Sequence, residues 1–265
     1  MKQDEGARAI YLIDSERTPE PGERFANPDY AATLRLIAEE GPDVLYGGEL
    51  GARVAERVQE LGGFVTLEDL ACHESRWVEP LSASFRGHRV WQIPPPGQGS
   101  VFSSFGSGVA VPGTGFHLQN RGSGFTMEPG LPNTVGPEKE PFHTIIPGFV
   151  TRVGEDGVEE PWMSFGVMGG AVQPQGHVQL LLNLLLFDMD LQDAIDAPRF
   201  RHTSGMSVGL EAPIGHETRE PLRARGHDIG LLGRFGAGGA QAVLRMKRGW
   251  AAGSDPRKDG QAAGH

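Results

Sequence analysis

Several stretches of the sequence bring reactive residue types close together. Gly205-Met206-Ser207-Val208-Gly209 fits G-x-S-x-G, the turn that lifts a serine nucleophile out of a sheet. That chemistry requires a strand before the serine and a helix after it. The residues that follow, LEAPIGHE, hold a proline and a glycine that bar an immediate helix. Asp196 and His202 could be set beside that serine as partners, but their order along the chain differs from that hydrolase pattern, so structural roles are expected. His143-Thr144 places an imidazole beside a hydroxyl in an apolar stretch, where a lone histidine is more often a hydrogen-bonded structural residue. Gly169-Gly170, taken alone, reads as a glycine turn entering a helix. The nine histidines are scattered, with neither H-E-x-x-H nor a close pair, and Cys72 is the sole cysteine. No metal site, cofactor or internal disulfide is therefore expected.

The elements that must position these residues change in kind along the chain. The first twenty-five residues are polar and proline-containing, and read as a strand fragment from Ala9 to Ile13 followed by loop. Asn27-Pro28 starts a helix, with asparagine as cap and proline in the first turn, and Gly41 stops it. Val54, Val58 and Leu61 at helical spacing predict a second helix from about Leu50 to Leu61, ended by Gly62-Gly63. Thr66 and Asp69 form a capping box for a short third helix. From Leu81 the period becomes that of strands: LSASF and RVWQI flank a tight turn at Arg86-Gly87-His88, and Pro94 to Pro96 end the pair. FHTIIPGFVTRV and PWMSFGVMGG, joined by the turn Gly154 to Gly157, read as a long hairpin. A helix from about Gly176 to Phe187 has leucines on all sides, which predicts burial on more than one face. DLQDAID forms a shorter helix ending before Pro198, and a last short helix spans Glu220 to Arg225 with Pro221 in its first turn. This is an α+β chain with mostly antiparallel pairing.

Composition narrows the function classes. A net charge of −10 gives no electrostatic reason to bind nucleic acid or an anionic membrane. The opening MKQDEGARAIYLIDSERTPEPGERF has no apolar core of signal-peptide length, and no segment is apolar enough to span a bilayer, so a soluble cytoplasmic product is expected. The 39 glycines and 20 prolines point to many tight turns rather than a helical bundle.

Four stretches in order resemble the γ-glutamyltransferase (glutathione hydrolase) family of the N-terminal-nucleophile hydrolases. They are FGSGVAVPGTGFHLQNRGSGF (Phe105 to Phe125), PFHTIIPGFV (Pro141 to Val150), FGVMGGAVQPQGHVQ (Phe165 to Gln179) and the terminal GSDPRKDGQAAGH (Gly253 to His265). Residues 1–99, with NPDYAATLRLIAEEGPD, GGFVTLEDL and PPPGQG, resemble the later part of the family's large chain, and residues 100–265 resemble its small chain. The resemblance implies one globular unit with a partial αββα four-layer sandwich of stacked antiparallel sheets between helix layers. It also implies acyl transfer from γ-glutamyl amides such as glutathione, begun by an amino-terminal threonine exposed when the precursor cuts itself. A free amine beside the hydroxyl lets one residue serve as nucleophile and base. A small-molecule substrate is implied, with no nucleic acid or membrane partner, and a homo-oligomer is compatible with it.

The resemblance also assigns positions. Gly169-Gly170 match the glycines whose backbone amides form the oxyanion hole, where side-chain-free residues let amides approach the developing charge closely. His143-Thr144 fall where relatives hold the substrate α-carboxylate with two serines. Arg121 and Gly124 fall where relatives place a polar residue and an aspartate that grips the α-amino group; Gly124 has no carboxylate. Ser100 matches a hydroxyl that hydrogen-bonds the nucleophile's amine. The departure from the family is at Gly99, which is followed at once by SVFSSFG. No Thr-Thr-His-like motif occurs, and the early segment that supplies an arginine for the carboxylate has no counterpart. The sequence therefore predicts a family member without its nucleophile, with a non-catalytic small-acid-binding protein and an incomplete gene product as alternatives.

Overall fold

The computed structural model describes residues 4–97, 106–154 and 156–264. Their contacts divide into two compact units, Met1–Trp77 with Ser104–Arg121, and Val78–Ser103 with Gly122–His265. The boundary between these units does not fall at residues 99 and 100. Strands on either side of that point share one sheet, because ladder hydrogen bonds join them.

The first unit is helical: α1 (Glu5–Tyr11), α2 (Pro28–Glu40), α3 (Asp43–Tyr46), α4 (Glu49–Glu60) and α5 (Leu67–Ala71). Asn27 caps α2 by accepting from the Tyr30 amide, and Gly41 ends it at φ 85°. Thr66 and Asp69 close the capping box of α5 in both directions. The strand expected from Ala9 to Ile13 is instead the end of α1 and the residues just past it. Asp4 supplies the missing cap. Its carboxylate accepts from the amides of Ala7 and Ala110 and pairs with Arg57 at 2.7 Å. Burial alone would raise the Asp4 pKa, but these hydrogen bonds and the guanidinium hold it below its ordinary value. Two of the three partners are distant in sequence, so the cap was not legible there.

The second unit is built on a six-stranded antiparallel sheet. Its strands are β1 (Leu81–Phe85), β2 (His88–Gln92), β3 (Gly148–Val153), β4 (Glu159–Met168), β8 (Gly239–Arg245) and β9 (Trp250–Ser254), in the order β1-β2-β3-β4-β8-β9. The helices α6 (Gln173–Leu185) and α7 (Leu191–Asp196) cover one face. Alternation along β4 and β8 turns Met163, Phe165, Val167, Ala240, Ala242 and Leu244 onto Leu180, Leu184, Ala194 and Ile195. Burying each larger side chain contributes about 1.5–3 kcal/mol before entropy is counted. This helix-on-sheet pair is the part of the αββα sandwich that the chain supplies. The remaining elements are β5 (Phe200–Ser204), β6 (Ser207–Leu210), α8 (His216–Ala224) and β7 (Asp228–Leu231), with β5-β6-β7 forming a smaller sheet in which β6 and β7 are parallel.

Two helices differ from expectation. In α6 only the face carrying His177, Leu180 and Leu184 is buried, while Val178 and, just beyond the helix, Phe187 stay exposed. Among the described residues, strand β5 of the smaller sheet meets α6 only through Gln175 and Gln179, whose side chains bond the His202 and Phe200 backbones. Helix α8 begins at His216, so Pro221 lies inside it rather than in its first turn. The serine of G-x-S-x-G opens β6 after a turn at Gly205 (φ 51°), and a turn rather than a helix follows β6. No helix among the described residues is long and apolar enough to cross a membrane.

Candidate functional site

Strand β4 keeps its in-out alternation as far as Met168 and then meets the glycine pair. Gly169 adopts φ 142° and ψ 22°, Gly170 adopts φ 63°, and a short 3-10 turn from Gly170 to Val172 leads into α6. A Cβ on Gly169 would lie 2.8 Å from the Gly238 Cα and 2.7 Å from a Val172 methyl. A Cβ on Gly238 (φ 76°) would meet the Met168 carbonyl at 2.6 Å. Two backbones therefore approach each other here in a way that only glycine allows. Among the described residues neither the Gly169 nor the Gly170 amide donates a turn or loop hydrogen bond.

Behind this corner His177 fastens α6 to β4. Its Nε2 accepts from the Val167 amide at 3.1 Å, and burial pushes its pKa down to about 4. The neutral ring must then carry its proton on Nδ1, so Gln92, 3.2 Å away, has to present its side-chain oxygen there.

The glycine corner opens on a cleft of about 630 Å³ lined by Thr144, Gly169, Gln173, Gln241, Lys258 and Asp259, among other residues. Thr144 and Gly169 are brought together, as the resemblance requires. His143 is not on that wall. It forms an isolated bridge with Gly97, and its Nδ1 accepts from the Ile145 amide at 3.3 Å. Arg121 and Gly124 occupy a 3-10 turn and do not line the cleft. Gly124 has open space where a side chain would stand, so glycine is not sterically demanded there. Ser100 lies outside the described residues.

Another part of the lining comes from the C-terminal turn, and Lys258 and Asp259 are lining residues that the sequence reading did not single out. A buried ion cluster sets that turn. Asp255 accepts from the Ala240 and Arg257 amides and pairs with Arg199 at 2.8 Å; Arg257 pairs with Asp255 at 3.1 Å and with Glu211 at 2.6 Å. Arg257 also donates to the carbonyls of Ile195 and Ala197. Burial works against the charge of Asp255 and Glu211, yet the amides and guanidiniums around them bring both pKa values below their ordinary range. Lys258 follows them directly, lays its methylenes on Gly239 and carries Nζ 4.6 Å from the Phe235 ring centre. Among the described residues it has no carboxylate partner, and proximity to SDPR was the only signal that could have revealed it.

The family model described as gamma-glutamyltranspeptidase matches residues 1–104 and 100–265. The chain belongs to the gamma-glutamyltranspeptidase family. It is 26% identical to an oxamate amidohydrolase proenzyme of Klebsiella pneumoniae, over 100% of this chain and 70% of that one. It is 25% identical to the glutathione hydrolase-like YwrD proenzyme of Bacillus subtilis, over 94% of this chain and 67% of that one. Among solved structures it resembles a cephalosporin acylase from Bacillus halodurans, with a TM-score of 0.88 and 30% identity, covering 100% of this chain and 67% of that one. This likeness makes the fold that of the N-terminal-nucleophile hydrolases. The alignment to the Bacillus subtilis relative runs over 361 positions although this chain has 265 residues, so the relative holds interior stretches with no counterpart here.

Proposed function

We propose that this chain keeps the acyl-amide cleft of the gamma-glutamyltranspeptidase family and, as it stands, binds a small acid there without turning an amide over. The observation that carries this reading is the hydroxyl inventory of the cleft. Among its described lining residues Thr144 alone bears a hydroxyl, and its nitrogen is an in-chain amide. Such a residue has no α-amine to act as its own base, so the covalent step begun by a terminal threonine has no owner. The two family matches, which meet at residues 100–104, and the unmatched interior of the aligned relative support reading residues 1–99 as large-chain sequence and 100–265 as small-chain sequence without its nucleophile strand.

The ligand class follows from what the walls offer. Thr144 and the Gly169 amide can take a carboxylate or amide oxygen. Gly124 supplies no carboxylate for an α-ammonium, which favours acyl acids over strict γ-glutamyl groups, in keeping with the names of the oxamate and cephalosporin relatives. Glutathione and other γ-glutamyl amides remain in the substrate class by descent.

The test uses the purified full chain with a chromogenic γ-glutamyl anilide, a denaturing gel, and calorimetry against glutarate and glutamate. The expected result is no anilide hydrolysis, a single band at 28.5 kDa and heat of binding with glutarate. Sustained turnover, or splitting into two chains, overturns the loss of catalysis. Silence toward both acids overturns the retained cleft.

A further inference from the structure

We infer that the Lys258 ammonium anchors a second carboxylate of the ligand, which commits the cleft to short-chain dicarboxylates and to acyl groups that end in a carboxylate. This inference rests on the proposed acid-binding cleft and names the acids it prefers. Lys258 is the only cation among the described residues that line the cleft. Its Nζ has three protons to donate, and among the described residues it makes neither a hydrogen bond nor an ion pair. Its partner there is the Phe235 ring, 4.6 Å away. A ring face attracts the charge but leaves the donors unspent.

The ammonium is held in place by its stem. A Cβ on Gly239 would collide with the Lys258 Cγ and stand 3.0 Å from its Cε, so the bare glycine gives the methylenes their bed. The Lys258 amide donates to the Asp255 carbonyl at 3.1 Å, which ties the residue to the turn set by the buried ion cluster. Gly239 follows Gly238, whose Cα packs against Gly169. The lysine stem and the glycine corner therefore touch consecutive residues at the entry to β8, whose Cα atoms are about 3.8 Å apart. One end of a short acid can sit on the Gly169 amide and Thr144 while its other end meets the ammonium. A cation already positioned needs little ordering when the ligand arrives.

Charge limits the choice. Asp259 is the one acidic residue of the lining, and among the described residues no ion pair joins it to Lys258. It repels a dicarboxylate mildly, so the lysine must outweigh it. A monoacid leaves the ammonium to water, whereas a second carboxylate forms a charge-assisted hydrogen bond with it.

Calorimetry on the full chain should compare glutarate with butyrate, which has the same carbon chain without the second carboxylate. The unaltered protein should bind glutarate about 10- to 100-fold more tightly. Lys258→Met keeps the stem on Gly239 and removes the charge. It should abolish the preference, with a loss for glutarate at least about tenfold larger than any change for butyrate. Lys258→Arg should keep part of the preference, because the charge remains. Asp259→Asn should tighten glutarate roughly twofold by removing a like charge. Equal binding of the two acids by the unaltered chain overturns the inference whether or not any variant folds. So does a Lys258→Met protein that keeps the preference or loses both acids in parallel, or weaker glutarate binding by Asp259→Asn. Binding without a diacid preference removes this inference and leaves the acid-binding cleft standing; binding of neither acid removes both.

Discussion

The two walls of the cleft are built by opposite physics. The Gly169–Gly238 corner is made by removing side chains until two backbones can touch. The Asp255–Arg257 turn is made by burying four charged side chains and satisfying each of them. The first wall is steric, and it is indifferent to salt. The second is electrostatic, and it holds only while every partner is present. A site assembled in this way can lose one wall and keep the other.

The sharpest way to separate the walls is Asp255→Ala. It leaves Arg199 and Arg257 with one carboxylate, Glu211, between two buried guanidiniums, and should cost about 3–5 kcal/mol in urea unfolding. Gly169→Ala should cost about 2–4 kcal/mol, since a Cβ 2.8 Å from the Gly238 Cα forces the strands apart and φ 142° suits no side chain. If both lose stability but only the Asp255 variant responds to salt, the contrast stands.

Acid should attack the walls in different windows. His177, behind the glycine corner, stays neutral until about pH 4, whereas in the unfolded chain it takes a proton near its ordinary 6.5. The unfolded state then binds more protons between those values, so stability falls on acidification across that window, by roughly 3 kcal/mol in full. His177→Gln, which keeps an acceptor for the Val167 amide, should flatten that part of the melting profile. The lowered carboxyls of Asp255 and Glu211 contribute stability above their unfolded values, near 3.8 and 4.5, and lose it as pH falls through their folded ones. Acid loss at the C-terminal turn should therefore begin where the His177 window ends. The smallest effect is expected for Gly124→Asp, below about 0.5 kcal/mol, because that glycine has open space and an ordinary φ. A large loss there would show that its glycine, like Gly169, is sterically required.

Much of the local structure was legible. The caps at Asn27 and Thr66, the β1–β2 and β3–β4 hairpins and the bounds of α4 and α7 follow from interactions within a few residues, and short-range rules see them. Helix α1 was misread because its cap is completed by Arg57 and Ala110. The exposed side of α6 was misread because periodicity reports which residues are apolar, not whether anything arrives to cover them. At the site, motif order pointed to Thr144 and Gly169, which line the cleft, and to His143, which does not line it.

By itself the sequence determined the family, several local elements and the absence of a Thr-Thr-His-like motif, because each is written in contiguous residues. The tertiary structure alone decided that Lys258 and Asp259 line the same cleft as Thr144. Bringing residues more than a hundred positions apart together depends on a sheet register and a buried ion cluster, and neither leaves a local signature in the chain.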